Sequence, residues 1–432
     1  MRLNWFSPLP PARTDIANYT VRLLPVLQNY AEVTLWTNQP HWSSELERDA
    51  KVRHYQLDRM PWAEINQADL NIYHIGNNAD FHGSIWQVSR QCPGLVILHD
   101  FKLHEFFIGI YRKQWGDKNS YLTQIKQYYG VKGKQNAKKF WEGMLPTAYM
   151  AEYYPLTPLA LENAVGAITH TQEAYHCLTQ QKRWLIGYAA LPYTSKFQVF
   201  KKDIPSKSPP YRVVMFGYMS PNRRLDALLK ALSSLSEKSS FRLDIYGQIW
   251  DVDYIRGLVQ KLNLDNSVKI HGFVKEAELD SALAKAHLAI NLRYPTMGEA
   301  SGSQLRIWSH ALPSLVTKIG WYATLPENTV AFVRPECEIE DIQEQLRSFL
   351  ANPEKFIEMG KKGRRVLEQQ HSPDSYAKAI VDFANKALQF RRCSVAEKMV
   401  KKVGKEVQSW TNREVRNSEI REMAQAIRFI SS

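Results

Sequence analysis

The chain has 432 residues, 44% of them hydrophobic, and a formal net charge of +13 at pH 7. This is about three times the ~150 residues of a typical domain, so two domains are expected, and the apolar content excludes a disordered or fibrous protein. The basic excess favours an anionic partner: a nucleotide, a nucleic acid or an acidic membrane.

Strand-like apolar runs alternate with longer amphipathic runs along the chain, which predicts an α/β protein with largely parallel sheets. Five strands are predicted in the first half, at 2–7, 32–37, 70–75, 94–99 and 164–170, and six in the second, at 211–217, 241–247, 268–274, 287–293, 313–318 and 329–333. Each set is enough for one doubly wound sheet.

The segment 192–210 is rich in Pro, Ser and Lys and predicts a linker between the two sheets. We therefore expect Rossmann-like domains at 1–195 and 196–375, facing each other across a cleft, and C-terminal helices at 376–432 that pack across both. Ligands of open α/β sheets bind beyond the carboxyl ends of the strands, so the residues that follow strands are the candidates for a site.

The cysteines and the apolar runs of the sequence indicate the cellular compartment. The four cysteines (Cys92, Cys177, Cys337 and Cys393) form no C-x-x-C pair, which argues against zinc ribbons and thioredoxin-type sites. The first residues lack a signal-peptide core, and no run of 18 apolar residues predicts a membrane span. We expect a reduced, cytoplasmic protein.

In the first half, His99 and Asp100 end the strand predicted at 94–99. A histidine beside an acid can hold a hydroxyl group and exchange protons near neutral pH, although a structural histidine at a strand end is the alternative. His74 and His170 also follow strands, and for them the structural role is favoured.

The segment 102–139 contains nine Lys or Arg residues and two acids, interleaved with tyrosines and a tryptophan. Such a surface suits an anionic membrane or a lipid diphosphate. A solvated helix face with its aromatic residues in the core explains the same pattern, and the sequence leaves both open.

In the second half, the first strand ends at Gly217, and Arg223 and Arg224 lie where the following turn meets a helix. Guanidinium groups bind phosphates in bidentate fashion. Two further strands end near Gly247 and Gly272, where a flat base has room against exposed backbone. Ordinary turn glycines and solvated arginines are the alternative.

The most specific segment is 293–321, where a predicted strand leads to Gly298 and Glu299 and a helix begins at Ala300–Ser303. Free amides and the positive end of the helix dipole suit a diphosphate, and Glu299 can accept hydrogen bonds from sugar hydroxyls. The alternative is a simple helix cap by Ser301.

These motifs, in this order, resemble the donor half of a GT-B glycosyltransferase of family 4, and the segment 5–27 resembles the family's opening strand, loop and helix. Bacterial and cyanobacterial exopolysaccharide transferases are the most similar. The resemblance implies retaining transfer of a hexose from a UDP-sugar, glucose first, with GDP-mannose the second choice. The acceptor would be a glycan or a polyprenyl-diphosphate-linked molecule in polysaccharide biosynthesis, reached at the inner face of the plasma membrane, and no metal or other cofactor is expected.

The resemblance implies that His99 lies close to the transferred sugar and that Glu299 holds the sugar hydroxyls. With Asp100, the acid beside His99, these are the predicted catalytic residues. The donor-binding residues would be Gly217, Arg223, Arg224, Gly247, Gly272, Phe273, Val274, Gly298, Ser301, Gly302, Ser303 and Arg306. The chain departs from the family pattern where a second glutamate is replaced by Arg306 or Ile307. Helical spacing allows Arg306 to pair with Glu299, to reach phosphate or only to stabilise the helix.

A second departure is the N-terminal loop, which has Ala12–Asp15 where the family often has Gly-Gly or Ser-Gly. The missing second glutamate keeps a catalytically silent nucleotide-sugar binder as an alternative. A Rossmann dehydrogenase lacks its G-x-G-x-x-G fingerprint here, and a nucleic-acid-binding protein is suggested by charge alone. The D-V-D run at 251–253 is expected to begin a helix rather than to bind a metal.

Overall fold

The computed structural model describes residues 1–194 and 208–390. Residues 195–207 of the predicted linker, and 391–432 of the predicted C-terminal helices, lie outside the described residues. The described chain forms two parallel sheets, one in each half, with helices on their faces.

The first sheet has seven parallel strands in the order β3-β2-β1-β4-β5-β6-β7. Their bounds are β1 Arg2–Phe6, β2 Glu32–Thr37, β3 Lys51–His54, β4 Leu70–Ile75, β5 Leu95–Leu98, β6 Gly166–Thr169 and β7 Leu185–Tyr188. The five predicted strands are present, while β3 and β7 were missed. Both are edge strands of only four residues. β3 has the sequence KVRH and buries only Val52, whereas β7 has the apolar sequence LIGY and buries no residue fully.

The helices of this half are α1 Asp15–Leu27, α2 Trp62–Ile65, α3 Ala79–Gln91, α4 His104–Ile108, α5 Lys118–Trp141, α6 Thr147–Tyr153, α7 Thr157–Ala160 and α8 Gln172–Gln180. Helices α4 to α7 all lie between β5 and β6. A π-helical segment, Gly109–Gln114, follows α4, and α5 is kinked at Gly130.

The second sheet has six parallel strands in the order β10-β9-β8-β11-β12-β13. The bounds are β8 Tyr211–Phe216, β9 Phe241–Tyr246, β10 Val268–Gly272, β11 Leu288–Asn291, β12 Ser314–Thr317 and β13 Ala331–Val333. The helices are α9 Leu225–Ser233, α10 Val252–Lys261, α11 Glu276–Ala284, α12 Gly302–Ser309, α13 Glu338–Ala351 and α14 Pro353–Gln370. All six predicted strands are present.

The described chain ends in a further helix at 373–390, which returns to the first sheet. Its Tyr376, Ile380 and Ala384 are buried in the same apolar cluster as Tyr19 and Leu23 of α1. The Tyr19 hydroxyl donates to the Tyr376 hydroxyl at 2.8 Å. Where the chain crosses back, the Tyr193 amide donates to the His371 carbonyl at 2.9 Å, and the His371 ring donates to the Leu191 carbonyl at 2.7 Å.

Strand order reverses between β1 and β4 in the first sheet and between β8 and β11 in the second. Loops diverge at such a point and leave a crevice at the carboxyl ends of the strands. The two crevices meet, because the amides of Phe101 and Lys102, after β5, donate to the Met297 carbonyl, after β11, at 3.0 and 2.8 Å. No helix in the described part of the chain is both long and apolar enough to cross a membrane.

Candidate functional site

The second domain presents three strand-end glycines side by side. The Gly217 amide donates to the Tyr246 carbonyl at 3.0 Å, and the Gly247 amide donates to the Gly272 carbonyl at 2.6 Å. Gly247 has φ +114°, and a Cβ there would overlap the carbonyl oxygen of Gly217. Only glycine suits that position, and the three strand ends form an edge of bare backbone.

Beyond this edge, Phe273 and Val274 have different surroundings. The Phe273 ring is 63% exposed, and the Arg13 guanidinium of the first domain lies 4.6 Å from its centroid, a cation–π contact across the cleft. Val274 packs against the smaller apolar cluster of the second domain. Of these two predicted base contacts, Phe273 is the one that faces the cleft.

Arg223 is a buried cation at the reversal point of the second sheet. It is 2% exposed, its Nη2 donates to the Phe216 carbonyl at 3.0 Å, and its Nε has no hydrogen-bond partner. Burial lowers the pKa of Arg223 to about 10, and the charge of Arg293 acts in the same direction. Arg223 therefore stays charged near neutral pH with donor capacity unused, which is costly for a buried group.

Arg224, the next residue, points elsewhere. It has the left-handed φ of +60° that ends the turn, and its Nε and Nη2 donate to the Glu338 carboxylate of α13 at 2.7–3.0 Å. Glu338 is itself buried, so the pair ties α13 to the start of α9. The guanidinium predicted to bind the donor is thus committed to a carboxylate of its own domain.

Glu299 lies in the loop between β11 and α12 and is held on both oxygens. Its Oε2 accepts from the Thr296 hydroxyl and the Met297 amide, each at 2.8 Å, and its Oε1 lies 3.0 Å from Nε of Arg293. Burial is the largest influence and acts to lower the pKa of Arg293, but Glu299, Tyr322 and Asp100 together outweigh burial, and the pKa is raised. Arg293 was not predicted as a site residue, because it belongs to the strand predicted at 287–293, whereas β11 ends at Asn291.

The predicted helix start is present at α12. Ser301 caps the helix, its Oγ accepting from the Gln304 amide at 3.1 Å and from Asn291 Nδ2 at 3.3 Å. The amides of the first turn, at Gly302 and Ser303, have no acceptor within the helix. Gly298, with φ +75°, packs so closely on Phe101 of the first domain that a Cβ would meet its side chain, which places this loop at the cleft.

Arg306 does not pair with Glu299, because Glu299 precedes the helix rather than lying on its face. Its Nη1 is 2.8 Å from Oε2 of Glu276, and its Nη2 is 2.7 Å from Oδ1 of Asp280. Burial is the largest influence and acts to lower the pKa of Arg306, but Glu276, Tyr193 and Asp280 together outweigh burial, and the pKa is raised. Ile307, the other position that replaces the second glutamate, is fully buried in the apolar core.

On the opposite wall, His99 contacts a second histidine. Its Nε2 lies 2.9 Å from Nδ1 of His74, whose carbonyl accepts from the His82 ring at 2.9 Å. Burial lowers the pKa of His99 and of His74 well below the usual range, so both rings are neutral near pH 7 and one donates to the other. His74 and His170 are both buried.

Asp100 follows His99 and faces the second domain. Its Oδ2 accepts from the Asn77 amide at 2.7 Å. Burial, reinforced by the Glu299 carboxylate, raises the pKa of Asp100 to about 7. The carboxyl group is therefore partly protonated near neutral pH and is able to give or take a proton at this edge of the cleft.

The residues of the basic segment 102–139 lie partly in the core and partly on the surface. Tyr111, Tyr121 and Phe140 are buried, so most of its aromatic residues belong to the core. Its exposed residues include six cations (Arg112, Lys113, Lys126, Lys132, Lys138 and Lys139). Trp115, Val131 and Met144 are exposed large apolar side chains on the same stretch or just after it.

The D-V-D run begins α10 as predicted, since the Asp251 side chain accepts from the Tyr254 amide at 2.9 Å. Across residues 1–194 and 208–390, no three His, Cys, Asp or Glu side chains are grouped so as to hold a metal ion. The metal independence of the reaction stays a prediction.

Residues 196–366 match the family model described as Glycosyl transferases group 1. This part of the chain is therefore similar to glycosyltransferase group 1 domains. The match confirms the prediction of a glycosyltransferase, whereas membership of family 4, retention and the transferred sugar stay predictions. None of the curated proteins compared with this chain matches it.

Solved structures confirm the GT-B fold for this glycosyltransferase. Sucrose-phosphate synthase from Thermosynechococcus elongatus superposes with a TM-score of 0.63 at 15% identity, covering 89% of this chain and 98% of that one. Anabaena Alr3699/HepE in complex with UDP-glucose gives 0.59 at 14% identity, with 89% and 100% covered. WaaG, a glycosyltransferase involved in lipopolysaccharide biosynthesis, gives 0.57 at 13% identity, with 89% and 99% covered.

Proposed function

We propose that this glycosyltransferase transfers a hexose, with glucose the first candidate, from a UDP-sugar to a hydroxyl group of a glycan or polyprenyl-diphosphate-linked acceptor, with retention and without a metal, in polysaccharide biosynthesis. The observation that carries the proposal is the position of Arg223, a buried cation with an unused donor, at the sheet reversal of the second domain. Anabaena Alr3699/HepE, which shares the fold, is described in complex with UDP, with UDP and glucose, and with UDP-glucose.

Glycosyl transfer leaves negative charge on the departing diphosphate. Preorganised donors in a site shielded from water stabilise such charge strongly. Arg223 and the first-turn amides of α12 are suited to that task. The cost of keeping Arg223 Nε without a partner in the free protein is recovered when a phosphate oxygen accepts from it.

The carboxylate of Glu299 is suited to holding the donor sugar. Its contacts with Arg293 and Thr296 fix its orientation before any ligand arrives. Oε2 already accepts two hydrogen bonds, whereas Oε1 has one contact and can accept a further hydrogen bond. Across the cleft, Asp100 has a pKa of about 7 and suits the exchange of a proton with a hydroxyl. The neutral His99, fixed by His74, suits a hydrogen bond to the transferred sugar.

A panel of nucleotides and nucleotide sugars tests the donor. A ligand present at 100 times its Kd raises the free energy of unfolding by about 2.7 kcal/mol, which a thermal melt detects. We expect UDP and UDP-hexoses, UDP-glucose first, to raise the Tm, and GDP-mannose to leave it unchanged. A panel without any shift would refute the assignment, and a shift without transfer or hydrolysis would favour the silent binder.

Paired variants test the residues. Arg223→Ala and Glu299→Ala are each expected to lower turnover by orders of magnitude, since each removes a group proposed to contact the donor. Arg224→Lys is the matched control, because its side chain contacts Glu338 instead and a lysine keeps that ion pair. Near wild-type transfer by either alanine variant would remove the site assignment.

The exposed cations of α5 support a peripheral contact with an anionic membrane at the cytoplasmic face. Clustered Lys and Arg residues attract anionic lipid headgroups, and Val131 and Met144 offer apolar area beside them. Sedimentation with vesicles tests this. Wild type is expected to bind only vesicles that contain an anionic lipid, and Lys138→Glu with Lys139→Glu to abolish binding. Equal binding to neutral vesicles would contradict the proposal.

A further inference from the structure

One carboxylate of the first domain reaches the start of α12. Asp15 is the first residue of α1, and its Oδ2 lies 3.8 Å from the point where a Cβ on Gly302 would stand. Gly302 is the first residue of α12. The side chain of Asp15 is exposed to the cleft between the two domains.

Asp15 therefore lies in a positive field. The first turn of a helix carries partial positive charge and free amides, which favour an anion. Arg223 adds a full charge, and the Asp15 carboxylate is among the anions whose attraction opposes the effect of burial on the pKa of Arg223. Arg223 is 2% exposed and its Nε has no hydrogen-bond partner. Asp15 therefore does not use this donor.

We propose that Asp15 is an internal competitor of the donor's diphosphate, and that it disfavours the product UDP more than the donor UDP-sugar. The inference rests on the proposed function, which assigns the diphosphate to Arg223 and the start of α12. When a diphosphate enters, two anions share one positive field. Asp15 then either turns toward solvent, which its exposure permits, or stays and repels the phosphates.

The discrimination follows from charge. The terminal phosphate of free UDP has a second ionisation with a pKa near 6, so UDP carries about three negative charges near pH 7.5, against two for a UDP-sugar. Repulsion by a fixed carboxylate scales with the charge of the ligand. Asp15 thus weakens the binding of UDP more than the binding of the UDP-sugar, and this hastens the release of UDP. Uridine, which has no phosphate, is not affected.

Calorimetric titration of the full chain tests this with UDP, UDP-glucose and uridine, at pH 7.5, low salt and in the presence of a chelator. The variants are Asp15→Asn and Asp15→Ser. The control is Asp253→Asn, which also removes an acid from the first turn of a helix but at a side chain 90% exposed on α10.

We expect Asp15→Asn and Asp15→Ser to lower the Kd for UDP at least threefold and that for UDP-glucose by less. The Kd for uridine in these variants, and every Kd in Asp253→Asn, should equal that of wild type. An unchanged or weaker Kd for UDP in both Asp15 variants would overturn the inference and leave the proposed function standing. If wild type binds neither UDP nor UDP-glucose, both fail.

Discussion

Three buried histidines of the first domain make its stability depend on pH. Burial lowers the pKa of His82, His104 and His170 to about 4 each, although their ring nitrogens donate to backbone carbonyls. The unfolded chain restores a pKa near 6.5. Between these values the unfolded state binds protons that the folded state does not. Stability is therefore fully present above pH 6.5 and is lost as the pH falls toward 4.

The loss of stability can be worked out for each histidine. A pH of 5.5 is one unit below the pKa of a histidine in the unfolded chain, so protonation of the unfolded state lowers the free energy of unfolding by about 1.4 kcal/mol per residue. The three together amount to about 4 kcal/mol between pH 7.5 and 5.5. Asp100 acts in the opposite sense, because its pKa of about 7 lets the folded state bind a proton first. A single-site comparison is therefore cleaner than the total slope.

His104→Gln isolates one contribution. The ring of His104 donates to the Tyr154 carbonyl at 2.8 Å, and a glutamine amide keeps a donor for that oxygen. Urea unfolding at pH 7.5 and 5.5 gives the loss of stability for each protein. We expect wild type to lose about 1.4 kcal/mol more than the variant over this range, whatever constant offset the substitution introduces.

The control is His176→Gln, which replaces an exposed histidine of the same domain and should keep the wild-type loss. If His104→Gln lost as much stability as wild type between the two pH values, the reasoning from burial would be refuted.

Two further substitutions test other features. Asp100→Asn should raise the Tm relative to wild type at pH 8 more than at pH 5. The pKa of Asp100 is raised, so ionisation of this carboxyl group destabilises the folded wild type as the pH rises through 7. An equal change in Tm at both pH values would contradict this. Gly247→Ala should lower stability by about 1–3 kcal/mol or more, because of its left-handed φ and the overlap with Gly217. Gly257→Ala in α10, where a Cβ meets nothing within 4 Å, is the control, and equal urea midpoints for the two would disprove the steric argument.

The sequence predicted the central strands and the start of α12 because both are set locally. A strand buried on both faces needs a continuous apolar run, and Ser301 caps through its own side chain. The edge strands β3 and β7 escaped prediction because each has only four residues. The sequence of β3 is mostly basic, and the apolar run around β7 does not by itself distinguish a strand from a buried helix segment.

The partners of charged residues escaped prediction for a different reason. Arg224 pairs with Glu338, 114 residues along the chain, and Arg306 pairs with Asp280 on another helix. Sequence spacing ranks neighbours on one helix, whereas these pairs depend on how helices pack against each other. The same holds for His99 and His74, which neighbouring strands bring together.

The route of the chain constrains how the cleft opens. The backbone passes between the two lobes twice, and the passages are joined where Tyr193 and Leu191 bond to His371. Two neighbouring chain crossings form a hinge, which permits rotation of one lobe about a single axis and opposes twisting of one lobe against the other.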